Sequence, residues 1–268
     1  MTVPQTNRPL STTDASPDNP YGTRVSRRQR IKDDVVINLL PGDKLDIFEV
    51  SAGKGQLSCR LHSMGHKIGI SNFTPCCEYQ DLEEHFVDMS APDFKLPKAP
   101  FDVIICREVV EHLPNIPATL GRLADHLKPG GALILTLPNR LEIRSRVYHL
   151  MTGFYRGMRR PINMQYVMGE EHINLVGYPE MEYFLRKTGF DIKKVTCSEI
   201  DPLDHILMIF APLCRLVSSF FLLQRKRYLK GHEIINPADY ARARAVQSVL
   251  LSRPLFIGKD LVISATRL

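Results

Sequence analysis

The chain has 268 residues, of which 44% are hydrophobic and 24% are charged, a composition typical of a soluble globular protein with a substantial core. Its six cysteines include no CxxC pair, which argues against a zinc ribbon or a disulfide framework and is typical of the reducing cytoplasm. The formal net charge of +6 permits contact with RNA, phosphate-bearing substrates or an anionic membrane surface and selects none of them. Since the first residues have no apolar signal-peptide core, we expect a cytoplasmic protein.

The N-terminal segment differs in composition from the rest of the chain. Residues 1–22 are rich in Pro, Ser, Thr and Asn and contain little apolar surface, which predicts a disordered tail. Residues 23–268 are predicted to form one domain. It begins with a short helix pattern that ends at the Pro41-Gly42 turn.

Strand and helix patterns then alternate as far as residue 200, which predicts a parallel sheet covered by helices. The predicted strands are residues 45–50, 67–71, 85–88, 101–106, 132–137 and 190–200. The predicted helices are residues 56–64, residues 76–82, a helix that follows the fourth strand and runs to about residue 113, residues 116–127 and residues 180–188. Residues 128–131 form a predicted turn, and residues 140–178 are irregular and basic. Residues 201–256 interrupt the alternation before a last predicted strand, Asp260–Arg267.

A glycine-containing loop, residues 49–55 (EVSAGKG), lies between the first strand and its helix. Small residues there let the backbone approach a ligand, and the helix N-terminus presents free N–H groups. Because Glu49 ends the strand, the loop suits a ligand with a cationic amine better than one with phosphates. The alternative is a tight turn with a structural role only.

A second motif, EVVEH at residues 108–112, follows the fourth strand. On a helix, positions i, i+3 and i+4 share a face, so this spacing would point Glu108, Glu111 and His112 in one direction.

Seven segments together resemble the class I S-adenosylmethionine-dependent methyltransferases. They are EVSAGKG (49–55), GHKIG (65–69), DM (88–89), FDVIIC (101–106), EHL (111–113), LKPGG (127–131) and LTLPN (135–139). The chain looks most similar to the branch that contains the ubiquinone-biosynthesis O-methyltransferases and many small-molecule and polysaccharide methyltransferases. The resemblance covers roughly residues 36–200 and the last strand. It implies a doubly wound α/β fold with a seven-stranded, mostly parallel sheet and a helical insertion before the last strand.

The resemblance also implies S-adenosylmethionine as the cofactor and assigns ten residues to it. Glu49, Ser51, Gly53 and Gly55 would hold the amino-acid end, Ser71 and Asn72 the ribose, Asp88 and Met89 the adenine, and Cys106 and Arg107 would lie beneath the methionine portion. Ser51 stands where the first glycine is usual, and neither Ser71 nor Asn72 supplies the usual ribose-binding carboxylate. If Asn72 faces the ribose, Asn72→Asp is expected to tighten binding, because a charged acceptor strengthens the hydrogen bonds. Loss of cofactor binding, and hence a non-catalytic binding protein, is the alternative.

Members of the ubiquinone branch and the small-RNA 2′-O-methyltransferases join a similar ExxEH set to a later histidine to bind a divalent metal. By that resemblance Glu108, Glu111, His112 and His172 would hold magnesium, manganese or zinc, which accept oxygen and imidazole ligands. Without a metal, His112 or His172 would act as general base for a hydroxyl. The structural alternative is that Glu111 and His112 brace a neighbouring loop.

Residues 206–223 form a nearly unbroken apolar run, and Arg225, Lys226, Arg227 and Lys230 follow it. The run approaches the length of a membrane span, but Pro212 and Arg215 near its centre argue against one. Two interpretations remain: residues 201–256 cap the substrate pocket, or residues 206–230 contact a membrane peripherally.

These patterns predict an S-adenosylmethionine-dependent methyltransferase that acts on an oxygen of a small-molecule, lipid-linked or saccharide acceptor. The loop is not GxGxxG, which disfavours a nicotinamide-dependent oxidoreductase. Six basic residues, Arg140, Arg144, Arg146, Arg156, Arg159 and Arg160, are predicted around the substrate mouth. Nucleic acid is the less favoured partner because no aromatic-interleaved RNA-binding signature is present, although RNA 2′-O-methylation stays an alternative.

Overall fold

The computed structural model describes residues 10–97, 99–156, 171–228 and 237–268, and the side chains of 225–228 and 237 lie outside the description. Seven strands form one sheet: β1 Asp46–Val50, β2 Lys67–Asn72, β3 Glu84–Phe86, β4 Phe101–Arg107, β5 Leu127–Pro138, β6 Phe190–Thr196 and β7 Asp260–Arg267. Their order is β3-β2-β1-β4-β5-β7-β6. Only β7 is antiparallel to its neighbours. The predicted fold is confirmed, including the last strand.

The eight α-helices of the described residues are α1 Arg27–Ile37, α2 Gln56–Ser63, α3 Ile116–Asp125, α4 Ile143–Thr152, α5 Tyr178–Lys187, α6 Ala211–Tyr228, α7 Pro237–Leu250 and α8 Arg253–Ile257. Side chains alternate between the two faces along each strand. Ile47 and Ile105 therefore pack with α1 and α2 on one face, whereas Phe48 and Ile104 pack with α3 and α5 on the other. Burial on both faces explains why the central strands are continuous apolar runs.

The strand order reverses at β1, which lies between β2 and β4. In open parallel sheets a ligand binds at such a switch point, outside the carboxyl ends of the strands. The loops after β1, β2, β3 and β4 meet at this edge, and the site is built from them.

Several predicted elements differ in the structure. Residues 76–82 form no helix, and the segment after β4 is a short 3-10 helix, Val110–His112. The predicted turn at 128–131 lies inside β5, and α4 occupies part of the segment predicted to be irregular. Short apolar segments do not distinguish helix from turn, so these elements depend on tertiary contacts.

Residues 10–22 are ordered and pack against the domain, so the prediction of a disordered tail over residues 1–22 is wrong for this part; residues 1–9 lie outside the described residues. The Thr12 backbone N–H donates to Asp81 Oδ1 at 2.8 Å. Tyr21 is buried, and its carbonyl accepts the Tyr79 hydroxyl at 2.5 Å. These partners lie 69 and 58 residues further along the chain, so the local composition of the N-terminal segment carries no sign of them.

The arginines predicted to surround the substrate mouth form bonds with other residues of the domain. In the described part, Arg140 bonds Glu180, Arg144 pairs with Asp204, Arg146 donates to the Leu141 carbonyl, and Arg156 pairs with Glu142. Arg159 and Arg160 lie outside the described residues. The four described arginines thus have intramolecular partners, which weakens the case for an anion-binding patch.

Candidate functional site

The loop after β1 has the tight backbone expected of a ligand-binding turn. Ser51, Gly53 and Gly55 have φ values of 51°, 58° and 79°. Glycine adopts this left-handed region freely, whereas a serine there is strained. Gly55 is the N-cap of α2, and a Cβ added to it would lie 2.9 Å from Cys77 Sγ.

Asn72, at the end of β2, holds this loop in place. Its Oδ1 accepts the Gly53 N–H at 2.7 Å, and its Nδ2 donates to the Gly53 carbonyl at 3.0 Å and to Glu84 Oε1 at 2.5 Å. Ser71 is buried, and its carbonyl accepts the Ala52 N–H at 3.0 Å. The Asn72 amide is therefore used to position the loop. This geometry removes the basis for expecting Asn72→Asp to tighten binding.

A cavity of about 440 Å³ opens beside the loop and gathers residues from the ends of β1, β2, β3 and β4. Five predicted cofactor residues line it: Ser51, Gly53, Asn72, Asp88 and Met89. Asp88 is held at the cavity by the Ser90 N–H and Oγ, which donate to its Oδ1 at 2.9 and 2.6 Å. Phe73 and Val87 also line the cavity. Sequence reasoning missed both, although each lies immediately after a strand.

The other five predicted cofactor residues lie elsewhere. Gly55, Ser71, Glu49 and Cys106 line neither this cavity nor the one beside it, and Arg107 lines only the latter. Glu49 and Cys106 are buried in β1 and β4. Their roles toward a cofactor stay predictions.

Glu49 belongs to a buried charge network. Its Oε2 accepts the Ser58 hydroxyl at 2.6 Å, and its Oε1 lies 3.3 Å from Arg107 Nε. Arg107 also pairs with Asp33 of α1 at 2.5 Å. Burial raises the pKa of Glu49, and Arg107 opposes that rise. The network fixes the end of β1 against β4 and α1.

A second cavity, of about 370 Å³, is lined by α1, the β1 loop, the ends of β4 and β5 and the start of β7. It shares Ser51, Gly53 and Glu108 with the first cavity. Glu108 has a φ of 52° and accepts the Thr136 hydroxyl at 3.0 Å. This carboxylate therefore stands at the boundary between the two cavities.

Glu111, His112 and His172 lie together beside the first cavity. Their ligand atoms are within 4.8 Å of one another, and the two imidazole centroids are 4.8 Å apart. Glu108 is outside this cluster, so the predicted four-residue set is wrong in that member. The physical reason is the left-handed backbone at Glu108, which breaks the helical spacing that the sequence pattern assumed.

The segment that precedes α5 brings His172 to the cluster. The Asn174 N–H donates to the Glu111 carbonyl at 2.9 Å, and its side-chain amide donates to the Leu113 carbonyl. His112 Nδ1 lies 2.9 Å from the Glu171 carbonyl. A carbonyl can only accept, so Nδ1 carries the proton and Nε2 is the basic nitrogen.

The cluster is electrostatically unusual. Glu111 is fully buried, and neither of its oxygens has a hydrogen-bond partner among the described residues; His172 Nδ1 also has none there. Burial, with a contribution from Glu108, raises the pKa of Glu111 to about 8. Burial lowers the pKa of His112. His112 also lines the first cavity, so a neutral imidazole faces the expected ligand.

Comparison with known proteins identifies related sequences. The family model described as a methyltransferase domain matches residues 24–195. A ubiquinone biosynthesis O-methyltransferase of Rickettsia canadensis is 26% identical over 57% of this chain and 65% of its own length. Those of Rickettsia typhi and Paramagnetospirillum magneticum are 30% and 34% identical over 37% of this chain and 43% of theirs. The chain thus spans between 43% and 65% of the length of these curated relatives.

Solved structures share the fold. A SAM-dependent methyltransferase from Archaeoglobus fulgidus has a TM-score of 0.51 at 13% identity, over 90% of this chain and 95% of that one. The 1,6-didemethyltoxoflavin-N1-methyltransferase of Burkholderia thailandensis, solved with S-adenosylhomocysteine, has a TM-score of 0.51 at 13% identity, over 90% and 78%. At this identity the similarity supports the fold alone.

Proposed function

Because the chain belongs to the methyltransferase-domain family, which is a class I S-adenosylmethionine-dependent family, we propose that it methylates a hydroxyl oxygen of a small-molecule, lipid-linked or saccharide acceptor. One observation carries the proposal: the strained β1 loop, Asp88, Met89 and His112 line one cavity at the switch point of the sheet. The names of the relatives support oxygen as the methylated atom.

The first cavity fits S-adenosylmethionine in the chemistry of its walls. Asp88 supplies a carboxylate to accept hydrogen bonds from an adenine amino group, and Met89 and Phe73 supply apolar surface for the ring. The loop at 51–53 lets the backbone approach the ligand closely. When bound, the cofactor supplies a methyl group made electrophilic by the attached sulfonium.

His112 is the proposed general base. Its basic Nε2 accepts the proton that the acceptor hydroxyl loses as the acceptor oxygen gains the methyl group. The lowered pKa keeps the imidazole neutral near pH 7. The second cavity, which adjoins the first at Glu108, is proposed to hold the body of the acceptor, with the acceptor hydroxyl reaching into the first cavity, which His112 lines. Holding the two reactants in adjoining cavities supplies the alignment that such a transfer requires.

A divalent metal at Glu111, His112 and His172 is a second proposal and an alternative to the base, because a metal-bound Nε2 of His112 cannot also accept a proton. The buried Glu111 oxygens and His172 Nδ1, without partners among the described residues, fit a cation that would satisfy them. A bound ion would hold Glu111 ionised and acidify a coordinated acceptor hydroxyl. Manganese titrated into the EDTA-treated protein should raise the thermal midpoint of wild type and leave that of Glu111→Gln unchanged. Equal behaviour of the two proteins refutes the metal proposal.

The transfer proposal is tested with S-adenosylmethionine labelled in its methyl group and a panel of hydroxylated acceptors: phenols, polyprenyl phenols and sugars. We expect label in at least one acceptor, and a rate about 100-fold lower for His112→Gln, the magnitude typical of losing a general base. His149→Gln, on α4, is the matched control and should keep the wild-type rate. A transfer rate unaffected by His112→Gln contradicts the assignment of the base. Label in RNA alone would favour the 2′-O-methyltransferase alternative.

A further inference from the structure

The segment from the 3-10 helix Pro202–Phe210 through α6 presents an apolar stripe to solvent. The stretch Pro202–Gln224 is the one described helical segment long and apolar enough to cross a membrane, and none of its most apolar window is buried. Ten large apolar side chains are exposed along it: Leu203, Ile206, Ile209, Phe210, Leu213, Leu216, Val217, Phe220, Phe221 and Leu223. Several follow the three- and four-residue spacing that places side chains on one helix face. We call these ten residues the apolar stripe.

The opposite side of this segment is anchored to the domain. Leu207, Met208 and Cys214 pack against a buried cluster built around Phe256. Gln247 of α7 donates to the Ser218 and Ser219 hydroxyls at 2.6 and 3.0 Å. The segment therefore lies along the body of the protein with one face packed and the other exposed, which is the geometry of an interfacial helix.

A second exposed apolar surface lies beside it. Leu150 and Met151 of α4 have 83% and 77% of their surface exposed. An ion pair between Arg144 of α4 and the buried Asp204 joins α4 to the 3-10 helix. Exposed apolar side chains are thus present on two elements that an ion pair joins, as expected of an interaction site.

The charge of the segment identifies its partner. Residues 205–232 contain five basic residues and no acidic one: Arg215, Arg225, Lys226, Arg227 and Lys230. The side chains of the last four lie outside the described residues, so this argument rests on sequence. A second copy docked through the same segment would bring two such basic sequences together. Anionic phospholipid headgroups complement the basic residues, and acyl chains complement the apolar stripe.

We propose that the apolar stripe docks on the surface of an anionic phospholipid bilayer, lying in the interface without crossing it. No described residue of 201–256 lines either cavity of the proposed active site, so the cavities give no support to the capping interpretation. The proposal does not depend on methyl transfer, and its test measures binding only.

The full chain is tested by flotation with vesicles of phosphatidylcholine alone and with vesicles containing 40% phosphatidylglycerol. Leu216→Asp is the informative variant, because Leu216 is 70% exposed and lines no cavity described above. Leu268→Asp is the matched control: Leu268 is 82% exposed, and it follows β7, outside residues 202–224. Thermal midpoints and light scattering establish that each variant is folded and give its oligomeric state.

We expect wild type and Leu268→Asp to float with the anionic vesicles, and Leu216→Asp to bind about tenfold more weakly or worse. Replacing Arg225, Lys226 and Arg227 by Gln should reduce binding and its salt dependence. Absence of binding to anionic vesicles, or equal binding by Leu216→Asp, overturns the proposal. The proposal is also overturned if wild type is a dimer that binds no vesicles and Leu216→Asp is a monomer, because the apolar stripe would then bind a second copy of the chain. If neither carbonate nor high salt releases the protein from the vesicles, the segment spans the membrane, and the proposal is again overturned.

Discussion

Asn72→Asp separates the sequence-based and the structure-based interpretations of the end of β2. If Asn72 were a ribose ligand, a carboxylate at this position would strengthen the hydrogen bonds to the ribose and tighten binding. In the structure, Asn72 donates to the Gly53 carbonyl at 3.0 Å and to Glu84 Oε1 at 2.5 Å. An ionised aspartate donates to neither, and it would place a second carboxylate against Glu84. The structure therefore predicts weaker binding.

The magnitude follows from these contacts. Each lost hydrogen bond to a part-buried acceptor costs about 1–3 kcal/mol. Two carboxylates about 4 Å apart near a protein surface repel by roughly 4 kcal/mol before either one takes up a proton. Glu84 now has a lowered pKa, because hydrogen bonds from Asn72 and from the Cys76 and Cys77 N–H groups outweigh the effect of burial. Protonation would limit the total, so we expect a loss of about 2–4 kcal/mol of stability.

Because Asn72→Asp removes the hydrogen bond to the Gly53 carbonyl, Gly53 should shift and S-adenosylhomocysteine should bind about tenfold more weakly, a loss of about 1.4 kcal/mol in the free energy of binding. Calorimetry and urea unfolding at pH 7 measure the two effects. Glu84→Gln in the Asn72→Asp background supplies a matched rescue, since the new amide can donate to Asp while its oxygen still accepts from Cys76 and Cys77. Recovery in the double variant supports the reasoning. Tighter binding by Asn72→Asp alone refutes it and restores Asn72 as the ribose ligand.

Two further variants test the loop and the cluster. In EDTA, wild type should lose stability to urea relative to Glu111→Gln as the pH rises from about 4.5 to about 8, because the pKa of Glu111 is about 8 in the folded state and 4.5 ordinarily. The difference in the free energy of unfolding should reach about 3 kcal/mol at pH 7. A difference that does not change with pH contradicts this reasoning. Gly55→Ala should lose about 1–3 kcal/mol more stability than Gly65→Ala. Both glycines have positive φ, but of the two only Gly55 has neighbours that the added Cβ would meet. Equal losses would show that Cys77, Leu82 and Tyr79 move aside to make room.

The sheet could be predicted because its signals are local. Central strands such as β4 are buried on both faces and appear in the sequence as continuous apolar runs. The turn between β1 and α2 shows its glycines, and Asp260–Arg267 begins with a short apolar run that is buried in the sheet. The strand order followed from the family resemblance.

The details of the site depended on contacts between distant segments. Asn72 depends on Glu84, 12 residues away, and Arg107 depends on Asp33, 74 residues away. The EVVEH spacing implied a shared helix face, but the left-handed backbone at Glu108 moved that carboxylate to the boundary between the cavities. Glu111, His112 and His172 joined the cluster as predicted. His172 reaches it because Asn174 ties its segment to the turn after β4.

The central claim, that the cavity at the β1 switch point binds the cofactor, is tested most directly by isothermal titration of S-adenosylhomocysteine into the full chain. We expect a dissociation constant in the micromolar range, which corresponds to a free energy of binding on the order of −8 kcal/mol. Asp88→Asn should weaken binding at least fivefold, because Asp88 lines that cavity and would lose its charged acceptor. Asp93→Asn, a change in an exposed acid outside the cavity, should leave the affinity unchanged. No heat and no thermal shift at millimolar ligand, or equal affinity for NAD, would contradict the account.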